Sequence, residues 1–151
     1  MIIEESVIIH GHIREVWQCF TDVTCWKDWN TVIKYVPAAE PEPFAEAKTI
    51  KFCIRPFLLD LYFEPMIEEI ILHERIVWSA KKCGITARHE FLFREVNDGV
   101  LVISRETFSG LPGAVLRLLL LTSRLRKLKV CLLGDLKQAL EVQDSKGHLA
   151  P

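Results

Sequence analysis

The 151-residue sequence lacks the short motifs by which many enzymes are recognised. It has no glycine-rich phosphate loop of the GxGxxG or GxxxxGK[ST] type, no HExxH zinc motif and no GxSxG nucleophile elbow. Its five cysteines are scattered, with no CxxC pair, so we interpret them as small buried hydrophobes in a reducing compartment. His10 and His12 have no third ligand nearby, so we predict no metal, and we predict no cofactor.

A strong charge of one sign is also lacking. The formal net charge is -1, so no global field favours nucleic acid, and we expect no nucleic-acid partner. The first residues have neither the basic start nor the apolar run of a signal peptide, and no apolar segment is long enough to span a bilayer. We therefore expect a cytoplasmic protein. With 50% hydrophobic residues, residues 1–144 can form a single ligand-binding domain with a real core, and residues 145–151 are expected to be a polar tail.

Hydrophobic periodicity predicts about seven strands, two short helices after the first strand, and one long helix last. Asn97, Asp98 and Gly99 predict a tight turn, and Gly110 and Gly113 a break before the long helix. Pro65 cannot donate to a strand ladder, so it predicts a bulge or an edge position. Strands and helices do not alternate, so an α+β fold with an antiparallel sheet is expected. The predicted strands are residues 2–10, 31–36, 48–54, 58–72, 74–81, 87–96 and 100–108.

Six short motifs along the chain resemble the superfamily of birch-pollen-allergen, START lipid-transfer and polyketide cyclase/aromatase domains. The resemblance covers nearly the whole chain and implies a helix-grip fold. In that fold a curved antiparallel sheet and a long C-terminal helix enclose a hydrophobic cavity. The superfamily hosts many functions, so the resemblance does not identify this one. The motifs are Glu15-Val16-Trp17 with Phe20 and Asp22, Trp26-x-x-Trp29-Asn30, Arg75-Ile76-Val77-Trp78, His89-x-Phe91-x-Phe93, Glu106-x-Phe108-x-Gly110, and Leu133-x-x-Leu136-Lys137-x-x-Leu140-Glu141.

The alternation of side chains places His89 on the inward face of its strand, with Phe91 and Phe93. A buried histidine is usually a core residue hydrogen-bonded to a neighbouring strand. Alternatively His89 contacts a ligand or acts as an acid/base, since its unperturbed pKa is about 6.5.

Both faces of the following strand hold apolar residues, so its inward face is less clear from the pattern. The resemblance implies that Glu106 lies near the cavity mouth, whereas the alternative is a surface ion pair with Arg105 or a neighbour of Arg88. Trp78 is a candidate for the cavity wall, where an indole can donate to a ligand oxygen. Tyr62, with Tyr35 as a second candidate, could present a hydroxyl inside.

The long helix is expected to face the sheet with one apolar stripe. Lys129 falls within this stripe, so we expect it to reach out at the cavity edge or to pair with a carboxylate. Leu116 and Leu120 lie on the other side, near Arg117 and Arg124, and could form a contact with a membrane surface or a second copy of the chain. Alternatively, neighbouring loops cover these leucines. The stripe is Leu111, Val115, Leu118, Thr122, Leu125, Leu132, Leu136 and Leu140.

We hypothesise that the protein binds a hydrophobic small molecule, such as a lipid, an acyl compound or a polycyclic aromatic, between the sheet and the helix. The alternative is a polyketide cyclase/aromatase or dehydratase in which His89 or Glu106 acts as acid/base and Tyr62 as a donor. A third possibility is an interaction module whose cavity is filled by its own side chains. The expected walls are Ile50, Phe52, Trp78, His89, Phe91, Leu118, Thr122 and Leu125.

Overall fold

The described part of the chain contains eight strands and four helices. The computed structural model describes residues 1–37, 44–55 and 60–147, without the side chains of Leu118 and residues 143–147. The strands are β1 (Ile2–Ile9), β2 (Ile33–Tyr35), β3 (Phe52–Ile54), β4 (Leu61–Phe63), β5 (Met66–Ile71), β6 (Arg75–Lys82), β7 (Ile85–Val96) and β8 (Gly99–Gly110). The helices are α1 (Ile13–Thr21), α2 (Trp26–Trp29), α3 (Pro112–Leu119) and α4 (Thr122–Gly147), and a 3-10 turn (Val23–Cys25) precedes α2.

Two antiparallel sheets stand where the sequence predicts one sheet of about seven strands. The five-stranded sheet has the order β1-β8-β7-β6-β5, and the three-stranded sheet has the order β2-β3-β4. The α+β class is confirmed, but the strand count is wrong because the predicted strand 58–72 is two strands, β4 and β5, in different sheets. Pro65 lies between them, where its missing N–H does not interrupt a ladder. Residues 58 and 59 lie outside the described residues.

The β7–β8 hairpin is the longest pairing in the fold and follows the sequence prediction closely. Asn97 and Asp98 form the two-residue connection, and Val96 pairs with Gly99. Gly99 has φ +137°, and a Cβ there would lie 2.1 Å from the carbonyl oxygen of Ile9 on β1. Only glycine fits this position, because β1 passes directly beside the turn.

The predicted single C-terminal helix is two helices, α3 and α4. The hydroxyl of Thr122 donates to the carbonyl oxygen of Leu119 over 2.8 Å, so a side chain satisfies a carbonyl that a continuous helix would pair with a backbone N–H. Leu111 precedes α3, is 66% exposed and does not belong to the buried stripe. Helix α4 runs to Gly147, and residues 148–151 of the predicted tail lie outside the described residues.

The core lies between the inner face of the larger sheet and helices α1, α2 and α4. Phe20 of α1 contacts the rings of Phe91 and Phe93 on β7, and the indole N–H of Trp26 donates to the Phe20 carbonyl over 2.8 Å. Leu132 and Leu136 of α4 are buried in the same cluster. All five cysteines are free thiols, but the prediction that they are buried is wrong for the surface residues Cys83 and Cys131.

Candidate functional site: a cavity between the sheets and helix α4

A cavity of about 340 Å³ lies between the inner face of the larger sheet, the three-stranded sheet and the first half of α4. Its size falls within the usual range of small-molecule pockets, roughly 300–1,000 Å³. Exposed Lys82, Cys83 and Arg124 lie at one end, which we call the mouth. The apolar wall residues are Val32, Ile33, Phe52, Ile54, Leu61, Phe63, Pro65, Trp78, Ala80, Ile85, Ala87, Phe108, Leu121, Leu125, Leu128 and Leu132.

Three wall residues lie side by side across the larger sheet. The strand register sets Trp78 of β6 opposite His89 of β7, and His89 opposite Glu106 of β8. Directly opposed side chains share one face of a sheet, so the inward direction of His89 brings the other two into the wall. The His89 ring stacks on Phe91 at 4.1 Å between centroids and meets Trp78 edge-on at 5.5 Å.

Lys129 reaches this row from helix α4. Only 5% of its side chain is exposed, although it carries a charge. Its Nζ lies 2.8 Å from Oε2 of Glu106, 3.1 Å from Nε2 of His89 and 3.4 Å from Oγ of Ser104. Ser104 also lies 2.7 Å from the same His89 nitrogen. These four polar side chains, which we call the polar cluster, form one connected network beside an otherwise apolar wall.

Burial and charge determine the protonation of the polar cluster. Burial holds the pKa of His89 well below 6.5, and the positive charge of Lys129 lowers it further. Burial also lowers the pKa of Lys129 from 10.5, but the Glu106 carboxylate opposes this shift. At neutral pH the imidazole of His89 is therefore uncharged, and Lys129 lies within ion-pair distance of Glu106.

The polar cluster has the groups for hydrogen bonding and proton transfer. The neutral imidazole can donate or accept, and the carboxylate of Glu106 can accept. In the described residues, no group of three or more His, Cys, Asp or Glu side chains could hold a metal ion.

The structure fits both roles expected for His89 but only one of the two expected for Glu106. His89 has the hydrogen bond to a neighbouring strand that a core histidine needs, through Ser104, and it also lines the cavity. Glu106 lines the cavity and pairs with Lys129, so the alternative of a surface ion pair with Arg105 or a neighbour of Arg88 is wrong. Of the two roles expected for Lys129, pairing with a carboxylate is confirmed.

Four of the eight expected wall residues line the cavity: Phe52, Trp78, His89 and Leu125. Their contact with a ligand stays a prediction. Ile50 and Phe91 are instead packed in the core. The hydroxyl of Thr122 donates to the carbonyl oxygen of Leu119, the last residue of α3. The side chain of Leu118 lies outside what the structure describes.

Tyr62 does not point into the cavity. It is 52% exposed, whereas its neighbours Leu61 and Phe63 line the wall. Side chains alternate along a strand, so the inward direction of these neighbours turns Tyr62 outward. Tyr35 is not among the wall residues either. The expectation of a tyrosine hydroxyl inside the cavity is therefore wrong among the described residues.

Sequence reasoning did not select Ser104 or the mouth residue Lys82, and it assigned Arg124 to a docking surface rather than to the cavity wall. Ser104 had a usable signal, since it alternates with Val102 and Glu106 on the inward face of β8. Lys129 stood out as a charge in an apolar stripe, but its partners come from two strands distant in sequence. Which strand residues it meets depends on how α4 lies on the sheet.

Helix α3 and the turn that follows it present exposed leucines beside the cavity mouth. Leu116 is 63% exposed and Leu120 is 82% exposed, so neighbouring loops among the described residues do not cover them. Leu121, the next residue, lines the cavity. No helix in the described part of the chain is both long and apolar enough to cross a membrane.

Comparisons with known proteins give no sequence match but clear structural likenesses. No family model and no curated protein matches the chain. A START superfamily protein from Mycobacterium smegmatis superposes with a TM-score of 0.70 at 10% identity, covering 94% of this chain and 98% of that chain. The di-domain ARO/CYC protein BexL of the BE-7585A biosynthetic pathway gives 0.75 at 15% identity, and StfQ of the steffimycin pathway 0.71 at 14%.

The coverage differs between these proteins. This chain spans 50% of BexL and 52% of StfQ, while 93% and 95% of this chain is covered. It likewise spans 47% of a protein from the dynemicin biosynthetic locus. At such low identity the likeness concerns the fold alone. The fold that the sequence motifs imply is thereby confirmed: the chain has a helix-grip fold like that of the START superfamily protein and the two ARO/CYC proteins.

Proposed function

We propose that the protein binds a hydrophobic small molecule, such as a lipid, an acyl compound or a polycyclic aromatic, in the cavity between the sheets and α4. The observation that carries this proposal is the cavity itself, with its mostly aromatic and aliphatic wall and its few convergent polar groups. The side chains of the described residues leave about 340 Å³ open, which argues against a cavity filled from within.

Burial of the ligand would supply the driving force. Apolar area removed from water contributes about 25 cal/mol per Å² before the entropic costs of association are subtracted. The polar cluster would orient the ligand, since three of its members, His89, Glu106 and Lys129, line the cavity.

Fluorescence enhancement of the uncharged dye N-phenyl-1-naphthylamine tests this proposal. The wild-type protein should bind the dye saturably. Ala80→Trp places an indole into the cavity from β6 and should abolish the enhancement. Lys81→Trp is the matched control, because Lys81 is the next residue on β6 and is exposed to solvent. If Ala80→Trp binds the dye like the wild type, with an unchanged circular dichroism spectrum, the ligand does not occupy this cavity.

The second candidate function is a cyclase/aromatase or dehydratase activity. Glu106 and His89 face the cavity with their acid/base groups, and two structurally similar proteins are ARO/CYC proteins. In that case the cavity would hold a reactive chain in one conformation and exclude water. Incubation with an aryl polyketone and mass spectrometry of the products would detect the activity. Turnover that is lost in Glu106→Gln while dye binding persists would favour the enzyme over the binding protein.

A further inference from the structure

The three N–H groups of the Lys129 ammonium all have acceptors within the protein. Glu106 Oε2, His89 Nε2 and Ser104 Oγ lie at 2.8, 3.1 and 3.4 Å from Nζ. An ammonium only donates, and its three N–H groups are directed at these acceptors rather than at a ligand, with the single lone pair of Nε2 shared between Lys129 and the Ser104 hydroxyl at 2.7 Å. Lys129 therefore organises the polar cluster, and another group must present the donor that faces the cavity.

The ammonium also fixes the tautomer of His89. Since Lys129 only donates, Nε2 of His89 must be the accepting nitrogen. A neutral imidazole with an accepting Nε2 carries its proton on Nδ1. Nδ1 has no hydrogen-bond partner among the described residues, and it is not among the fully enclosed unpartnered atoms. Because His89 lines the cavity, this N–H is a donor available to a ligand.

The charges of the polar cluster indicate which kind of acceptor fits. Lys129 is already paired with Glu106, so an anionic ligand group near His89 would have no uncompensated positive charge to bind. It would also be repelled by the nearby Glu106 carboxylate. An uncharged oxygen avoids this repulsion. The cations at the mouth, Lys82 and Arg124, are exposed, where water and salt screen their charge.

We propose that the cavity selects uncharged apolar ligands that carry a carbonyl or ether oxygen, and that this oxygen accepts the hydrogen bond of His89 Nδ1–H. The inference rests on the ligand binding proposed above and adds the chemistry of the ligand's polar end. Carboxylic acids, such as free fatty acids, are excluded from this position.

Three tricyclic probes that differ at one carbon test the inference: 9-fluorenone, fluorene and fluorene-9-carboxylate. Each is titrated against the protein in competition with N-phenyl-1-naphthylamine. A hydrogen bond in a buried site should make fluorenone bind roughly three- to tenfold more tightly than fluorene. The carboxylate should bind more weakly than either. In His89→Phe, fluorenone and fluorene should bind alike, whereas His12→Phe, at an exposed histidine outside the wall, should keep the preference.

An infrared measurement keeps the test valid if His89→Phe does not fold. The carbonyl stretch of fluorenone bound to the wild-type protein should lie at a lower frequency than in a hydrocarbon solvent, because a hydrogen bond weakens the C=O bond. An unshifted stretch overturns the inference, as does equal affinity for fluorenone and fluorene. If none of the three probes displaces the dye and the dye itself does not bind, the proposed function has failed rather than this inference.

Discussion

At the scale of single residues, Lys129 and Glu106 form the most consequential pair in the molecule. Each charge is stable in its apolar surroundings because the other is 2.8 Å away. Removing one partner of a fully buried pair costs about 3–5 kcal/mol, since an uncompensated charge remains. Glu106 keeps 20% side-chain exposure, so the cost here is lower.

Lys129→Met should therefore lower the free energy of unfolding by about 1–3 kcal/mol in urea denaturation. The double variant Lys129→Met with Glu106→Gln should regain at least part of that loss, because neither charge is left. If the double variant is as unstable as the sum of both single variants, the pair is not coupled as the structure indicates.

His89 should make the stability of the protein fall in mild acid. Its folded-state pKa lies below its unfolded value, so the unfolded chain binds a proton first once the pH falls below about 6.5. The stability from the neutral imidazole is therefore present above that pH and is lost on the way down to the folded pKa. In the folded protein Lys129 and Ser104 contact the ring, and Glu106 lies opposite it on β8.

The comparison of wild type with His89→Phe isolates this contribution. Between about pH 7 and pH 5.5 the wild type should lose up to about 1.4 kcal/mol of stability per pH unit more than the variant. Urea denaturation at several pH values measures both slopes. Identical slopes would mean that His89 does not carry a lowered pKa in the folded protein.

At the scale of elements, the β7–β8 hairpin depends on one glycine. Gly99→Ala would place a Cβ 2.1 Å from the Ile9 carbonyl oxygen at φ +137°, so β1 or the turn must move. We expect a loss of about 2 kcal/mol or more in the free energy of unfolding. Gly134→Ala is the matched control: its Cβ would meet nothing within 4 Å inside helix α4, and alanine should stabilise the helix by up to about 1 kcal/mol. Similar effects of both changes would contradict the close approach of β1.

Helix α3 is expected to dock on an anionic membrane. Its exposed leucines lie in a segment, residues 115–129, that has five basic residues and no acid. Lys129 is buried and Arg126 pairs with Glu5, whereas Arg117 and Lys127 are exposed. Each basic residue near such a surface contributes about 1 kcal/mol, and salt screens it.

Sedimentation with vesicles that contain phosphatidylserine, at low salt, tests this docking. The wild type should sediment, and Arg117→Glu should reduce the bound fraction several-fold. Arg14→Glu, at an exposed position on α1, should not. Absence of wild-type sedimentation refutes the membrane contact. A dimer that dissociates in Leu120→Lys would then identify a second copy of the chain as the partner of these leucines.

At the scale of the whole molecule, local patterns predicted the parts of the fold that local chemistry determines. Alternation oriented His89, and the Asn97-Asp98 turn set the register that places His89 opposite Glu106. The hydrophobic pattern did not predict the break between α3 and α4, because the break depends on a hydrogen bond from the Thr122 hydroxyl to a backbone carbonyl. Alternation could not tell Trp78 in the wall from Phe91 in the core either, since both side chains point inward.

The same limit applies to the candidate site. Lys129 stands out in the sequence because it is a charged residue in an apolar helix stripe. Its partners Ser104 and His89, however, are 25 and 40 residues away along the chain. Only the docking of α4 on the sheet brings them together. The site is therefore a tertiary feature, and no short motif in the sequence marks it.

Contact quenching of tryptophan fluorescence by bromobenzene tests the central claim, that an apolar molecule occupies this cavity, most directly. Trp78 is the tryptophan in the wall, while Trp17 and Trp26 are buried in the core outside it. The account predicts saturable quenching in the wild type that is mostly lost in Trp78→Phe, which keeps an aromatic ring in place. Quenching that does not saturate, or that is unchanged in Trp78→Phe, would contradict it.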